Sequence, residues 1–344
     1  MQFETSHRII NCDAAEAIAQ LPDNSIALTV TSPPYPMIEM WDALFSESDS
    51  GISDSIASGN AEAAFESMHH QLDKIWTLIR AKTIDGGMLC INIGDATRSA
   101  GGRFRLFSSH SRVIRGCLAA GFDQLPEIIW KKQSNKPNKF MGSGMLPTAA
   151  YVTQEHEFIL IFRKGRKRKF ELPDEKIRRR LSAYFWEERN SWFSDIWDDI
   201  KGEKQDNGKS TRKRTAAFPV HLPYRLISMF SVIGDTVLDP FCGTGKTSVA
   251  AIAACRNSIG IDINEEYAAL SKLNLSNCLD ECNNIIGRRL AGHTHFVSNS
   301  GVEHHLYINK NYKFRVKTAQ ESEILLPVPV SIRSANGQFT VVYS

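Results

Sequence analysis

The 344-residue chain lacks the features of membrane proteins and of disulfide-stabilised proteins. No apolar run approaches the ~20 residues that a transmembrane helix requires, and residues 1–11 lack the pattern of a secretory signal. The seven cysteines are scattered and odd in number, which is not the pattern of a disulfide framework. These absences predict a cytoplasmic protein with reduced thiols and no membrane partner.

Motifs for phosphate binding, covalent attack and metal binding are also absent. Gly245-Lys246-Thr247 imitates the end of a P-loop, but Pro240 stands where that loop needs its first glycine. Cys242 lies inside a predicted loop, and no cysteine stands in a motif for attack on a pyrimidine ring. The cysteines and histidines of the last third of the chain have irregular spacing, so we predict no zinc or other metal site.

The composition is that of a globular protein with an uneven charge. Hydrophobic residues make up 42% and charged residues 23%, which allows an ample core. The net charge is +3, yet between Lys131 and Arg214 stand 21 Lys or Arg against 12 Asp or Glu. This basic middle on an acidic remainder favours a polyanionic partner such as DNA. A solvated charged insertion is the alternative interpretation.

The stretch Ile-Ala-Leu-Thr-Val-Thr-Ser-Pro-Pro-Tyr, residues 26–35, ends a predicted strand in a stiff turn. Ile26 to Val30 is a short apolar run, typical of a buried strand in an α/β sheet. Pro33 and Pro34 cannot continue a central strand because they lack the N–H that the ladder needs. Strand ends of this kind form the edge at which open α/β sheets bind ligands.

The turn offers groups that suit a planar amine. The Ser32 hydroxyl and the carbonyls of Ser32 and Pro33 can accept hydrogen bonds, and Tyr35 provides an aromatic face. Acceptors beside a stacking ring fit a nucleobase with an exocyclic NH2 group. A rigid corner that binds nothing is the alternative for Ser-Pro-Pro alone.

A second stretch predicts a βαβ unit with a glycine-containing loop. Thr236 to Leu238 and Ser258 to Ile261 are predicted strands, and Thr247 to Cys255 is the helix between them. Asp239 to Gly245 forms the loop over the helix N-terminus. Asp262 ends the second strand, where an acid can hold a ribose.

TSPPY at 31–35, DPFCGTG at 239–245 and IGID at 259–262 together resemble the motifs of the DNA amino-methyltransferases. The catalytic turn precedes the cofactor loop, which is similar to the circularly permuted β group of that family, N4-cytosine type, as in type II restriction-modification systems. The resemblance covers most of residues 9–275 and is weak between about 163 and 210. It implies a doubly wound, Rossmann-like α/β methyltransferase sheet in permuted order.

The resemblance also implies S-adenosyl-L-methionine as cofactor and two sets of site residues. The implied catalytic residues, which hold the target amine, are Ser32, Pro33, Pro34 and Tyr35. The implied cofactor-binding residues are Asp13, Phe218, Pro219, Asp239, Pro240, Phe241, Gly243, Thr244, Gly245 and Asp262. Asp13 is placed near the adenine of the cofactor, with a helix N-cap as the alternative role.

The α/β rhythm is broken between 163 and 214, where basic runs stand at 163–169, 178–180 and 212–214 and aromatic residues lie among them, namely Trp186, Trp192, Phe193 and Trp197. Basic residues fix phosphates, and aromatic residues can stack on bases or wedge between them. We therefore predict a target-recognition region here that binds double-stranded DNA. A small satellite core is the alternative role of these aromatic residues and the preferred one for Trp197. The predicted DNA-binding residues are Lys131, Lys132, Arg166, Lys167, Arg168, Lys169, Arg178, Arg179 and Arg180.

These patterns predict four segments. Residues 1–162 form the catalytic half of the methyltransferase domain and 163–215 a basic target-recognition insertion. Residues 216–290 form the cofactor-binding half, and 291–344 a β-rich C-terminal extension, in which Asn336-Gly337 predicts a hairpin. The extension could enlarge the DNA surface, mediate dimerisation or cover a sheet edge.

Two local predictions concern the catalytic half. Ser46 to Gly59 is rich in Ser, Asp and Gly and predicts a mobile loop. Phe104 to Ala120 has the pattern of a helix.

The predicted reaction is methyl transfer to the exocyclic N4 of a flipped cytosine in DNA. Ser before Pro-Pro-Tyr favours cytosine in this family, and adenine N6 is the alternative target. A catalytically silent DNA-binding protein and a methyltransferase for RNA or protein glutamine are further alternatives. A separate cognate restriction endonuclease is expected from the family, and both a monomer and a homodimer are compatible with the sequence.

Overall fold

The computed structural model describes residues 3–132, 141–201, 218–300, 306–335 and 337–344. Its central element is a ten-stranded sheet. The strands are β1 Phe3–Asn11, β2 Ile26–Thr31, β3 Thr83–Ile93, β4 Ala96–Ala100, β5 Arg103–Phe107, β6 Asp123–Lys131, β7 Met141–Gly142, β8 Ala150–Tyr151, β9 His156–Arg163, β10 Ile196–Trp197, β11 Thr236–Asp239, β12 Asn257–Asp262, β13 Tyr307–Ile308, β14 Arg315–Val316, β15 Pro329–Ala335 and β16 Gln338–Tyr343.

Helices pack on both faces of this sheet. They are α1 Ala14–Ala19, α2 Asp42–Ser48, α3 Gly51–Ala57, α4 Ala61–Lys82, α5 Ser109–Ala119, α6 Pro173–Leu181, α7 Trp186–Trp192, α8 His221–Phe230, α9 Lys246–Ala253, α10 Glu265–Ser276 and α11 Leu279–Ser300, with 3-10 turns at Glu39–Trp41 and Ala319–Glu323. Within the described ranges, none of these helices is long and apolar enough to cross a membrane.

The strands are ordered β10-β6-β9-β3-β2-β11-β12-β1-β16-β15. The block β3-β2-β11-β12-β1 is parallel throughout, and β9 is antiparallel to both of its neighbours, β3 and β6. The carboxyl ends of β2, β11 and β12 therefore meet at one edge of the sheet, here called the carboxyl edge.

Alternation along the buried strands divides the core into two layers. On β3, Leu89 and Ile91 face the cluster that contains α1, α4 and α5, whereas Met88 and Cys90 face the cluster built on α8 and α9. Such strands are buried on both faces, which explains why β2 is apolar along most of its length. The predicted doubly wound α/β sheet is confirmed, and the permuted order relative to other family members stays a prediction.

All four predicted segments contribute strands to this one sheet. Residues 163–215 supply β10, which pairs with β6, and the last segment supplies β15 and β16. Helix α11 runs through the expected boundary at 290/291. The division into a catalytic half, a target-recognition insertion, a cofactor-binding half and a C-terminal extension stays a prediction.

The C-terminal hairpin covers an edge of the sheet. Strand β16 pairs with β1 from Phe3↔Tyr343 to Arg8↔Gln338, and the Tyr343 hydroxyl lies 2.9 Å from Thr5 Oγ1. The predicted hairpin is confirmed by the pairing of β15 with β16. Of the three roles considered for the extension, this geometry supports covering a sheet edge.

The loop predicted over Ser46 to Gly59 is wrong. Helices α2 and α3 occupy most of it because Phe45 and Ile52 are buried, at 2% and 0% exposure, in the core beside α4. Two apolar anchors in a polar stretch carry little periodicity, so the sequence pattern does not reveal these helices.

The helix predicted from Phe104 is wrong in its first turn. Residues 103–107 instead form β5, which pairs with β4 through a turn at Gly101-Gly102. Both glycines have positive φ, +57° and +73°, as a two-residue hairpin turn requires. The Gly-Gly pair is the sequence signal for this hairpin, and helix α5 begins only at Ser109.

If the C-terminal hairpin of β15 and β16 stabilises the sheet, Phe339→Ala on β16 should lower the free energy of unfolding by about 3 kcal/mol, because Phe339 is 3% exposed. Val330→Ala on β15 is the matched control, since Val330 is 52% exposed and should cost less than about 0.5 kcal/mol. Denaturant titration of both variants measures the difference. Equal losses would contradict a structural role for β16.

Candidate active site

Two turns lie side by side at the carboxyl edge. Strands β2 and β11 are adjacent and parallel, with Val237 opposite Leu28 and Leu238 opposite Thr29. The Ser-Pro-Pro-Tyr turn that follows β2 therefore lies next to the loop that follows β11. The structure brings together the two motifs that are about two hundred residues apart in the sequence.

Asp239 joins these two turns. Its side chain accepts hydrogen bonds from Thr31 Oγ1 at 2.7 Å, Thr247 Oγ1 at 2.6 Å and the Phe241 amide at 3.2 Å. The residue is 2% exposed, and burial raises the pKa of its carboxyl group from 3.8 to about 6. Protein donors use three of the about four acceptor positions of this carboxylate, and the side chain is buried. This geometry therefore supports a positioning role more than the predicted direct contact with cofactor.

The loop after β11 depends on two glycines in the left-handed region. Gly243 has φ +51° and Gly245 has φ +82°, and Gly245 caps helix α9. A Cβ on Gly245 would collide with Ser271 Oγ, whereas a Cβ on Gly243 would meet no atom within 4 Å. The backbone at Gly243 therefore faces open space in which a ligand can approach it closely.

Asp262 holds the same loop from the end of β12. Its Oδ2 accepts from the Gly243 amide at 2.8 Å, and its Oδ1 accepts from the Asn264 amide at 2.9 Å. A carboxylate has about four lone-pair sites, so about two acceptor positions are left. The next residue, Ile263, is 53% exposed at this edge, and sequence reasoning did not identify it.

One buried hydroxyl of the loop lacks a partner. Thr244 is 8% exposed, and its Oγ1 makes no hydrogen bond among the described residues. Pro240 is buried and Phe241 is half-buried beside it. A buried unpaired hydroxyl is costly unless a ligand satisfies it, so the loop fits a group that carries hydrogen-bonding atoms.

Asp13 lies beside Asp262 because β1 pairs with β12, with Asn11 opposite Asp262. Its Oδ1 accepts from the amides of Ala15 and Glu16 at 2.8 and 3.1 Å, so it is the N-cap of α1. The N-cap alternative is thus observed, and contact with adenine stays a prediction.

Phe218 and Pro219 are buried directly before α8. Helix α8 packs on β2, and the chain passes from the last turn of α8 to the amino end of β11. The last turn of α8 therefore lies at the amino edge of the sheet, and its first turn lies at the carboxyl edge. The two residues therefore lie at the same edge as the glycine loop, and their contact with the cofactor stays a prediction.

The Ser-Pro-Pro-Tyr turn is stiff and largely buried. Pro33 and Pro34 are buried, Ser32 is half-buried, and Tyr35 is 7% exposed. The Tyr35 ring lies against Gly94, where an added Cβ would come within 3.0 Å of Tyr35 Cε2. Stacking of Tyr35 on a base stays a prediction, because most of the ring is covered in this structure.

Two residues that sequence reasoning missed complete this turn. The Tyr35 hydroxyl donates to Glu157 Oε2 at 3.1 Å and accepts from Asn92 Nδ2 at 2.9 Å. Glu157 also pairs with Lys132, Nζ to Oε1, at 2.7 Å. Asn92 and Glu157 stand at the ends of β3 and β9 that meet at the carboxyl edge. The sequence signal that could have identified Asn92 is a polar residue between Ile91 and Ile93 in the apolar strand β3.

A second polar pair lies nearby. The ring Nδ1 of His110 is 2.8 Å from Asp95 Oδ2, and its backbone amide donates to Asp95 Oδ1 at 3.0 Å. The hydrogen bond between the imidazole ring and the Asp95 carboxylate raises the pKa of His110. The imidazole stacks on Phe158 of β9 with centroids 3.9 Å apart.

Most of the predicted DNA-binding residues are remote from the catalytic turn. Lys131 ends β6 at the carboxyl edge and Lys132 follows it, but β9 later carries the chain about 26 Å to the opposite edge. There Arg168 pairs with Asp235 at 2.7 Å, before β11 begins. The structure thus does not bring Arg166, Lys167, Arg168, Lys169, Arg178, Arg179 and Arg180 to the turn. DNA contact elsewhere on the surface stays a prediction for them.

Comparison with known proteins agrees with this fold and these motifs. A profile described as DNA methylase, for the N6/N4 group, matches residues 26–273. The type II methyltransferase M.MthZI of Methanothermobacter thermautotrophicus is 47% identical over 99% of this chain and 96% of its own. M.MjaI of Methanocaldococcus jannaschii, also a type II methyltransferase, is 50% identical over 77% of this chain and 89% of its own.

Among solved structures, TTHA0409 of Thermus thermophilus, a proposed DNA modification methylase crystallised with S-adenosyl-L-methionine, superposes with a TM-score of 0.62. It is 31% identical, and the match covers 79% of this chain and 94% of that one. The chain belongs to the N6/N4 DNA methylase family.

The burial of Asp239 has a pH signature. Because its pKa is raised in the folded state, folding favours the protonated form, and the contribution of Asp239 to stability is lost as pH rises from about 4 to about 6. Relative to Asp239→Asn, the wild-type free energy of unfolding should fall by about 3 kcal/mol over this range and stay constant above it. Denaturant titrations at several pH values test this, and a difference that does not vary with pH would contradict it.

Proposed function

We propose that the protein transfers a methyl group from S-adenosyl-L-methionine to the exocyclic N4 of a cytosine in double-stranded DNA. The observation that carries this proposal is the adjacency of the two turns. Thr31 and Asp239 join them through a 2.7 Å hydrogen bond, so Ser32 and the glycine loop are held at a fixed separation. An amine acceptor beside a loop that admits a ligand is the arrangement that methyl transfer between two bound groups requires.

The residues at the carboxyl edge fit S-adenosyl-L-methionine. The open backbone at Gly243, the unpaired Thr244 hydroxyl and the N-terminus of α9 would hold its polar methionine end. The remaining acceptors of Asp262 would take the ribose hydroxyls, and exposed Ile263 would contact the adenine. When bound, this cofactor supplies an electrophilic methyl group.

The chain's own residues would position the target amine. Ser32 Oγ and the Pro33 carbonyl accept hydrogen bonds from the NH2 group, Pro34 stiffens the turn, and Tyr35 forms a wall of the base site. Accepting both protons draws the nitrogen lone pair out of conjugation with the ring. Acceleration then comes from orientation and electrostatics without a covalent intermediate. A paired base cannot reach this edge, so we propose that it leaves the helix first.

The neutral hydroxyl of Ser32 favours cytosine over adenine in our proposal, because no carboxylate stands at that position. Adenine N6 would use the same geometry and is the second candidate. A silent DNA-binding role has less support, because the motif positions carry competent residues that the structure brings to one edge. The type II names of the relatives favour protection of DNA against a separate cognate endonuclease.

Tritiated methyl transfer from S-adenosyl-L-methionine to unmodified plasmid DNA, followed by nucleoside chromatography, tests the proposal. Label in N4-methylcytosine is expected. Label in N6-methyladenine would keep the family and overturn the assigned base. Absence of label in DNA, with the cofactor bound, would redirect the search to RNA or protein substrates.

Ser32→Ala removes one acceptor for the amine while leaving the turn intact. We expect the methylation rate at saturating DNA to fall about 100-fold, since the lost bond matters most in the transition state. DNA affinity should change less than about twofold. Single-turnover kinetics and a DNA-binding isotherm measure the two effects, and equal losses would contradict the assigned role.

Position decides which basic residues contact substrate DNA. Lys131 is exposed at the carboxyl edge, so Lys131→Ala should reduce the slope of log affinity against log salt by about 1. Lys167→Ala removes a charge that is also exposed, at the opposite edge, and should leave the slope unchanged. Titrations of a cognate duplex at several salt concentrations compare them. If Lys167→Ala reduced the slope more than Lys131→Ala, the substrate DNA would bind at the opposite edge of the sheet.

A further inference from the structure

A chain of hydrogen bonds leads from the carboxylate of Glu157 to the hydroxyl of Ser32. Tyr35 Oη lies 3.1 Å from Glu157 Oε2 and 3.1 Å from Ser32 Oγ. Asn92 Nδ2 donates to both Tyr35 Oη, at 2.9 Å, and Glu157 Oε2, at 2.7 Å. On the far side, Lys132 Nζ lies 2.7 Å from Glu157 Oε1. The Glu157 side chain is 13% exposed and is contacted on both oxygens.

Counting protons fixes the direction of every bond in this chain. A carboxylate paired with an ammonium group can only accept, so the Tyr35 hydroxyl must donate its one proton to Glu157. Tyr35 Oη then has only lone pairs to offer, and it accepts from Asn92 and from Ser32. The Ser32 hydroxyl must therefore point its proton at Tyr35. The lone pairs of Ser32 Oγ are left for another donor.

The burial of Tyr35 supports this order. Burial and the neighbouring Glu157 charge raise the pKa of Tyr35 well above 10, so the phenol keeps the proton that it donates. The ring is held against Gly94 and is 7% exposed, so it has little freedom to leave the chain of bonds.

We propose that Glu157 is a positioning residue that acts through Tyr35 to make Ser32 an obligatory hydrogen-bond acceptor toward the target amine. This inference rests on the proposed function of Ser32. Without the carboxylate, the Ser32 hydroxyl could turn its proton toward the amine, and a donor would face a donor. Polarisation along consecutive hydrogen bonds also strengthens the Ser32 oxygen as an acceptor.

Two substitutions separate this role from the other uses of the same side chains. Tyr35→Phe removes the hydroxyl but keeps the ring, so any stacking on a base is preserved. Glu157→Gln replaces the carboxylate by a group that can donate to Tyr35, which permits the reversed order. Glu155→Gln is the matched control, because it removes an exposed carboxylate two residues away on the same segment.

The first measurement uses the protein without cofactor or DNA. With tyrosine labelled by carbon-13 at Cζ, the Tyr35 resonance is identified by its loss in Tyr35→Phe. We expect that resonance to shift in Glu157→Gln and to stay in place in Glu155→Gln. An unchanged resonance in Glu157→Gln would overturn the hydrogen-bond chain, whatever reaction the protein catalyses.

The second measurement is single-turnover methylation of DNA at saturating cofactor. Tyr35→Phe and Glu157→Gln should each slow the reaction about tenfold or more, with KM for DNA changed less than about twofold. The double variant should be no slower than the slower single variant, because Glu157 acts only through the Tyr35 hydroxyl. Glu155→Gln should retain the wild-type rate.

The outcomes distinguish this inference from the proposed function. If the two single effects multiply in the double variant, Glu157 acts independently of Tyr35 and the inference is wrong. A wild-type protein that methylates no DNA base would overturn the proposed function, while the resonance shift would still report on the hydrogen-bond chain. Rescue of Glu157→Gln by lowering pH is not expected, because an amide does not titrate.

Discussion

The buried carboxylate of Asp239 is the constraint on which the carboxyl edge depends. It accepts from Thr31 at the end of β2 and from Thr247 in the first turn of α9, so one side chain fixes three elements. Each partner is buried, at 0% and 1% exposure, and neither hydroxyl could find water if the carboxylate were removed. The distance between the Ser-Pro-Pro-Tyr turn and the glycine loop is set by these bonds.

The carboxyl edge and the amino edge of the sheet differ in what their polar side chains contact. At the carboxyl edge, polar side chains stand at the ends of buried strands and face a space that a ligand can enter. At the amino edge, the basic segment after β9 binds the sheet itself. Lys164 Nζ donates to the Thr83 carbonyl and to Asn24 Oδ1, and Gly86 donates to the Lys164 carbonyl. Part of a charge run that indicates DNA binding by composition therefore stabilises the start of the parallel strands.

Local patterns predicted much of the fold, because they depend on neighbours in the sequence. The apolar runs of β2, β11 and β12, the helix α9 and the glycine loop each follow from a short stretch. The predictions failed where long-range packing decides, as at Phe45 and Ile52, whose burial makes helices of a polar stretch. The Gly101-Gly102 turn was a local signal that the helical pattern of Phe104 to Ala120 obscured.

The sequence by itself determined the two motifs, their order and the family to which they point, because spacing within a turn or loop is encoded locally. Only the tertiary structure decided which residues share the site. It brought Asn92 and Glu157 to Tyr35, and Lys132 to Glu157, from three separate strand ends. It also carried most of the predicted DNA-binding residues to the opposite edge. The physical reason is the direction of β9, since an antiparallel strand exchanges the edges at which its two ends lie.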